Sequence, residues 1–118
     1  MAVLGDVVIR CGDPERLAAF WADALGYGRR PGPDGSIRLR PITPDPFAVG
    51  VRLVPTGGAS VGPGAVALDL RTTGLEGEVR RLQRLGASLV DGPGPTGPEG
   101  RVAMTDPEGH GFWLVGGD

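Results

Sequence analysis

Few side chains in this sequence can carry acid–base, nucleophilic or metal chemistry, and their spacing narrows the choice further. There is one histidine, His110, and one cysteine, Cys11. A hydrolytic triad needs a nucleophile, a base and an orienting acid, and the chain offers no such spacing around its single imidazole. One thiol excludes an internal disulfide and any cysteine-based zinc cluster, so Cys11 reads as a buried structural thiol. His110 follows Asp106-Pro107-Glu108-Gly109, a β-turn composition, which predicts a solvent-facing position beside a hairpin. The glycine stretches at 56–64 and 92–100 lack the lysine and the strand–turn–helix setting of a phosphate loop. What remains is a set of strand residues: the carboxylates Asp6 and Asp69, the cations Arg10, Arg52 and Arg71, and the indole of Trp113.

The elements that would position these groups can be read from periodicity. Residues 3–11 alternate, with Val7, Ile9 and Cys11 on one side and Asp6, Val8 and Arg10 on the other, as in a strand half covered by a helix. Asp13 is a good N-cap, Pro14 suits the first helical position, and Leu17, Phe20, Trp21, Ala24 and Leu25 recur at helical spacing as core or interface residues until Gly26 stops the helix. Short strands are expected around Tyr27, at SIRLR (36–40) and at FAVGVRLVP (47–55). The second half starts again. Val66, Leu68 and Leu70 alternate, Leu75, Val79, Leu82 and Leu85 form a helical stripe ending at Gly86, and strands follow at SLV (88–90), RVAMT (101–105) and GFWLV (111–115).

A shift of 61 residues lays VVIR (7–10) on LDLR (68–71) and VGVRLV (49–54) on HGFWLV (110–115). The chain therefore reads as a duplicated strand–helix–three-strand module. Module one covers about 1–55, a linker about 56–64, and module two about 65–118, in a single domain of 118 residues. Neither half can bury its sheet face alone, so the expected fold is α+β, with two βαβββ modules forming one curved mixed sheet and helices outside.

Composition excludes several partners. The net charge is −2, and the twelve cations, all arginine, look scattered along the chain and not striped on one face. Nucleic acid is not an expected partner. No apolar run reaches membrane-spanning length, and the N-terminus does not have the order of a signal peptide, so a cytoplasmic protein with no membrane association is expected.

The paired modules, DPERLAAFWADALGY after the first strand, ALDLRTTGLEGEVRRLQRLGA at the repeat, and TDPEGHGFWLV near the end together resemble the vicinal oxygen chelate superfamily. The likeness extends over essentially the whole chain and is nearest its small glyoxalase-like and bleomycin-resistance-like members. The resemblance implies a cup-shaped sheet and, in metal-using members, four ligands from the first and last strand of each module. Those positions fall at or near Asp6, Arg52, Ala67 and Trp113. Only Asp6 is a suitable donor, so no metal and no other cofactor is expected.

The remaining cup face, Asp6, Val8, Arg10, Arg52, Ala67, Asp69, Arg71 and Trp113, reads in two ways. It forms a pocket for a planar or partly anionic small organic molecule, or Trp113 fills a collapsed cup and Asp–Arg pairs tie strands. The function expected is a metal-free small-molecule binding or sequestering protein, and the resemblance adds a homodimer. The alternatives are an enzyme of the same superfamily, a lyase, isomerase or dioxygenase using unexpected ligands or Asp6 and Asp69 as acid and base, and a structural or regulatory dimer.

Overall fold

Asp13 and Pro14 start the first helix as their chemistry dictates. The Asp13 carboxylate accepts a hydrogen bond from the Arg16 N–H, and Pro14 occupies the first turn, where no N–H is needed. The computed structural model describes residues 1, 4–45, 47–56, 68–90 and 100–116. Among them the order is β1 (Asp6–Cys11), α1 (Pro14–Leu25), β2 (Tyr27–Pro31), β3 (Ile37–Pro41), β4 (Gly50–Pro55), β5 (Leu68–Thr72), α2 (Leu75–Leu85), β6 (Ser88–Leu89), β7 (Arg101–Thr105) and β8 (Gly111–Gly116). The chain divides into two compact units, Met1–Val61 and Gly62–Asp118. Each holds one βαβββ module with a four-stranded mixed sheet, ordered β1-β4-β3-β2 in the first and β5-β8-β7-β6 in the second.

The spacing of 61 residues read from the sequence reappears as identical strand register. β1 and β4 pair in parallel with Val7 opposite Val51, and β5 and β8 pair in parallel with Leu68 opposite Phe112. The third strands depart from that spacing. Ile37 pairs with Leu53 and Val102 with Leu114, so Ile37 and Val102 are equivalent, as are Arg38 and Ala103.

In the first unit α1 lies against β2, β3 and β4. Leu17, Ala18, Phe20 and Trp21 from the helix, Ile9 and Cys11 from β1, Ile37 and Leu39 from β3, and Val51 and Leu53 from β4 are buried. Phe20 and Trp21 meet edge to face with ring centroids 5.0 Å apart. Cys11 is fully buried, and its thiol lies 3.8 Å from the Val54 carbonyl oxygen. Both helices end at a glycine in the left-handed region, Gly26 at φ 70° and Gly86 at φ 119°, where other residues would be strained.

In the second unit α2 buries Leu75, Val79 and Leu82 beside Val102, Met104, Phe112 and Leu114. Arg81 donates from Nε to Glu78 Oε1 (2.5 Å) and from Nη2 to Oε2 (2.9 Å). Those hydrogen bonds, with the nearby positive charge, hold the Glu78 carboxyl below its ordinary value of 4.5. A lowered folded-state pKa means that the unfolded chain binds more protons, so this contribution is present above the ordinary value and lost as pH falls through the lowered one. For a pair this exposed it amounts to about 0.3–0.5 kcal/mol. Glu78→Gln is expected to flatten the acid side of a melting-temperature profile by that amount, measured by circular dichroism between about pH 3 and 6.

Candidate functional site

Alternation on β1, β3 and β4 sends the apolar residues toward α1 and leaves the polar ones on the opposite face. Register then decides which of these become neighbours. Val8 lies opposite Arg52, Arg52 opposite Arg38, and Arg38 opposite Arg30, one row across four strands. Arg40, two residues along β3, and Arg10, two along β1, share this face. Five of the twelve arginines thus sit on one side of one sheet. This corrects the scattered distribution expected from the sequence. Residues far apart in the chain are gathered because β4 and β3 follow β1 in the sheet.

At the centre is Asp6, whose side chain is only 9% exposed. Arg38 places Nε 2.9 Å from Oδ2 and Nη2 3.3 Å from Oδ1, Arg40 Nη1 is 3.4 Å from Oδ1, and Arg52 Nη2 is 3.2 Å from Oδ2. The Arg38 Nε contact is ionic and not directional, since its N–H finds no hydrogen-bond acceptor in line. The three guanidinium side chains are 37–43% exposed. Gly50 makes room for this arrangement. A Cβ there would lie 2.4 Å from Asp6 Oδ1, 3.1 Å from the Leu39 carbonyl oxygen and 3.3 Å from Arg40 Cγ. Like charges directly opposite across strands cost stability, by roughly 0.2–1 kcal/mol per pair, and this row contains two such pairs. One carboxylate offsets only part of that.

The second unit builds a different surface on the equivalent frame. Trp113, the counterpart of Arg52, is half-buried, with Asp69 opposite it on β5 and Ala103 on β7. Arg71, exposed, lies two residues along β5, opposite Val115. The Arg101 guanidinium stacks over the Trp113 ring, 4.0 Å from its centroid. Arg101 therefore takes the place that a planar ligand would need on that side of the indole. Ala67 lies outside the described residues.

His110 departs from its expected solvent-facing position. Its side chain is 20% exposed, and Nδ1 is 2.9 Å from both oxygens of the fully buried Asp106 carboxylate. Asp106 Oδ1 also accepts from the backbone N–H groups of Glu108 and His110. The pair fastens the β7–β8 turn around a buried acid, which explains why the imidazole turns inward.

Of the residues expected at the site, Asp6, Val8, Arg10 and Arg52 share one sheet face, and Asp69, Arg71 and Trp113 share the other unit's. Arg38, Arg40 and Arg101 were missing from the expectation. The alternation of SIRLR shows that Arg38 and Arg40 share a side, but only the position of β3 beside β4 brings them to Asp6.

This donor set does not fit a divalent metal. Both Asp6 oxygens are held by guanidinium groups, Arg52 would repel a cation, and Trp113 has no lone pair to give. Among the described residues no three His, Cys, Asp or Glu side chains converge. The same contacts occupy the lone pairs that a general base at Asp6 would need. A shallow depression of about 470 Å³ lined by Gly26 and Pro41–Asp45 contains no comparable cluster of charged side chains.

The model of the glyoxalase-like domain family matches residues 6–115, nearly the full length. The chain belongs to this family. No curated protein matches the glyoxalase-like chain. Its fold is that of a glyoxalase/bleomycin resistance protein/dioxygenase family enzyme from Burkholderia phytofirmans PsJN, at 18% identity over 96% of this chain and 97% of that one, with a TM-score of 0.73. The antibiotic binding protein TnmS3 from Streptomyces sp. CB03234 is 24% identical over 98% and 95%, with a TM-score of 0.68. The fosfomycin resistance protein FosX from Listeria monocytogenes is 12% identical over 100% and 95%, with a TM-score of 0.76. At these identities the likeness shows a shared glyoxalase-like fold. No helix among the described residues is long and apolar enough to cross a membrane.

Proposed function

We propose that this glyoxalase-like domain binds and sequesters a small organic anion and does so without a divalent metal. The observation that carries the reading is the state of Asp6. It is the one family ligand position with a metal-binding side chain, and three arginines hold it. A cation approaching it meets three positive charges, whereas an anion meets more positive charge than Asp6 balances among the described residues. Val8, 56% exposed in the same row, offers an apolar flank for the organic part of a ligand. One structural relative is an antibiotic binding protein, so the same fold serves a binding role elsewhere.

The test is a thermal-shift and calorimetric screen of aromatic carboxylates, phosphates and phosphonates against the protein purified with and without EDTA. The expected result is saturable binding that is indifferent to chelator and weakens at least several-fold between about 0.05 and 0.5 M salt, because half-exposed arginines are screened. Neutral aromatic ligands binding as well as their anionic analogues would count against the arginine face as the site.

A further inference from the structure

We infer that the arginine face of the first unit selects a doubly charged tetrahedral oxyanion, a phosphomonoester or phosphonate on a small apolar body, over a monocarboxylate. The inference rests on the anion-binding reading above and names the group that the site recognises. The chain already supplies a carboxylate to Arg38, Arg40 and Arg52, namely Asp6. An incoming monocarboxylate competes with a tethered group of its own chemistry and brings one negative charge to a row that holds Arg30 as well as Arg38 and Arg52. A dianion balances more of the charge that Asp6 leaves among the described residues.

Geometry agrees with the charge count. Charge-assisted N–H···O contacts settle at about 2.7–2.9 Å when a carboxylate is fully engaged. Three of the four contacts to Asp6 are 3.2–3.4 Å. Three guanidinium groups share the one carboxylate at long range, so none of the three is fully engaged by it. Each guanidinium carries five N–H donors in a planar fork, so donors remain for further oxygens. Arg30, exposed and opposite Arg38, extends the row away from Asp6, and Val8 closes its other end. A tetrahedral group presents several oxygens in different directions toward such a row, while a planar carboxylate presents two.

Calorimetric titration with phenyl phosphate and benzoate near pH 8 tests this, since the phosphate is then dianionic and both ligands carry the same ring. The expected result is a Kd for phenyl phosphate at least about tenfold below that for benzoate, with the double variant Arg38→Gln/Arg52→Gln weakening phenyl phosphate by about thirtyfold or more. Asp6→Asn, which removes the tethered competitor at constant size, is expected to tighten both ligands, phenyl phosphate at least as much as benzoate, and a loss of affinity for phenyl phosphate in a folded Asp6→Asn protein would count against the charge argument. Equal affinity for both ligands in the wild type, lost for both in the double variant, would overturn the dianion preference while leaving anion binding standing. No binding of either would remove both. Oligothymidylate, with one charge per phosphodiester, binding tighter than phenyl phosphate would assign the face to a polyanion and overturn the inference. The wild-type ratio and the double variant decide the matter even if Asp6→Asn does not fold.

Discussion

Trp21→Ala is expected to lower stability by about 3–5 kcal/mol, and Trp113→Ala by no more than about 1–2 kcal/mol. Trp21 is 1% exposed, one residue from Phe20 on the buried side of α1, and its truncation leaves a large cavity among residues that are themselves fully buried. Trp113 lies on the sheet face away from the core side chains of β8, half-buried, with Arg101 on its ring and small Ala103 opposite. Its removal forfeits a cation–π contact, worth about 0.5–1 kcal/mol at such a site, and a partial apolar burial. Urea denaturation followed by circular dichroism separates the two. Similar losses in both variants would mean that Trp113 plugs a packed interior, which is the filled-cup reading. A small loss at Trp113 keeps that face available to a ligand.

The second large effect is expected at Asp6. Asp6→Ala leaves Arg38, Arg40 and Arg52 facing one another with no counterion. The predicted cost is about 2–3 kcal/mol, between the small value of exposed ion pairs and the larger value for breaking a buried one. Gly50→Ala should cost a comparable amount by a different route, because the new Cβ occupies the place of the Asp6 carboxylate and has a backbone oxygen 3.1 Å away on its other side. The two effects should not add. Once Asp6 is alanine the clash with its carboxylate is gone, so the double variant is expected to lose less than the sum. Full additivity in chemical denaturation would show that Gly50 and Asp6 do not interact.

How far the sequence predicts this molecule differs from one feature to the next. The start of α1 and the ends of both helices were readable to the residue because local chemistry sets them. Asp13 and Pro14 begin α1, and glycines that adopt positive φ end α1 and α2. The repeat was readable because β1, β4, β5 and β8 keep the spacing of 61 and a common parallel register. The candidate site was only half readable. Alternation assigned Asp6, Val8 and Arg10 to one face correctly, but strand order is a non-local property. Nothing local tells that β1 lies beside β4, so Arg38 and Arg40 were not connected with Asp6 and the arginines seemed scattered. Arg101 escaped for the same reason, as its place over Trp113 depends on the β7–β8 register. The turn before β8 was recognised from its composition, yet the inward pull of Asp106 on His110 depends on burial that composition does not encode.

In the proposed function the arginines around Asp6, and not a metal ion, meet the anion. Calorimetric titration of phenyl phosphate into protein kept throughout in EDTA tests it most directly. Saturable binding near one equivalent per chain, unchanged when the chelator is left out, is expected. Binding that appears only after a divalent ion is added, and that disappears in Asp6→Ala, would contradict it.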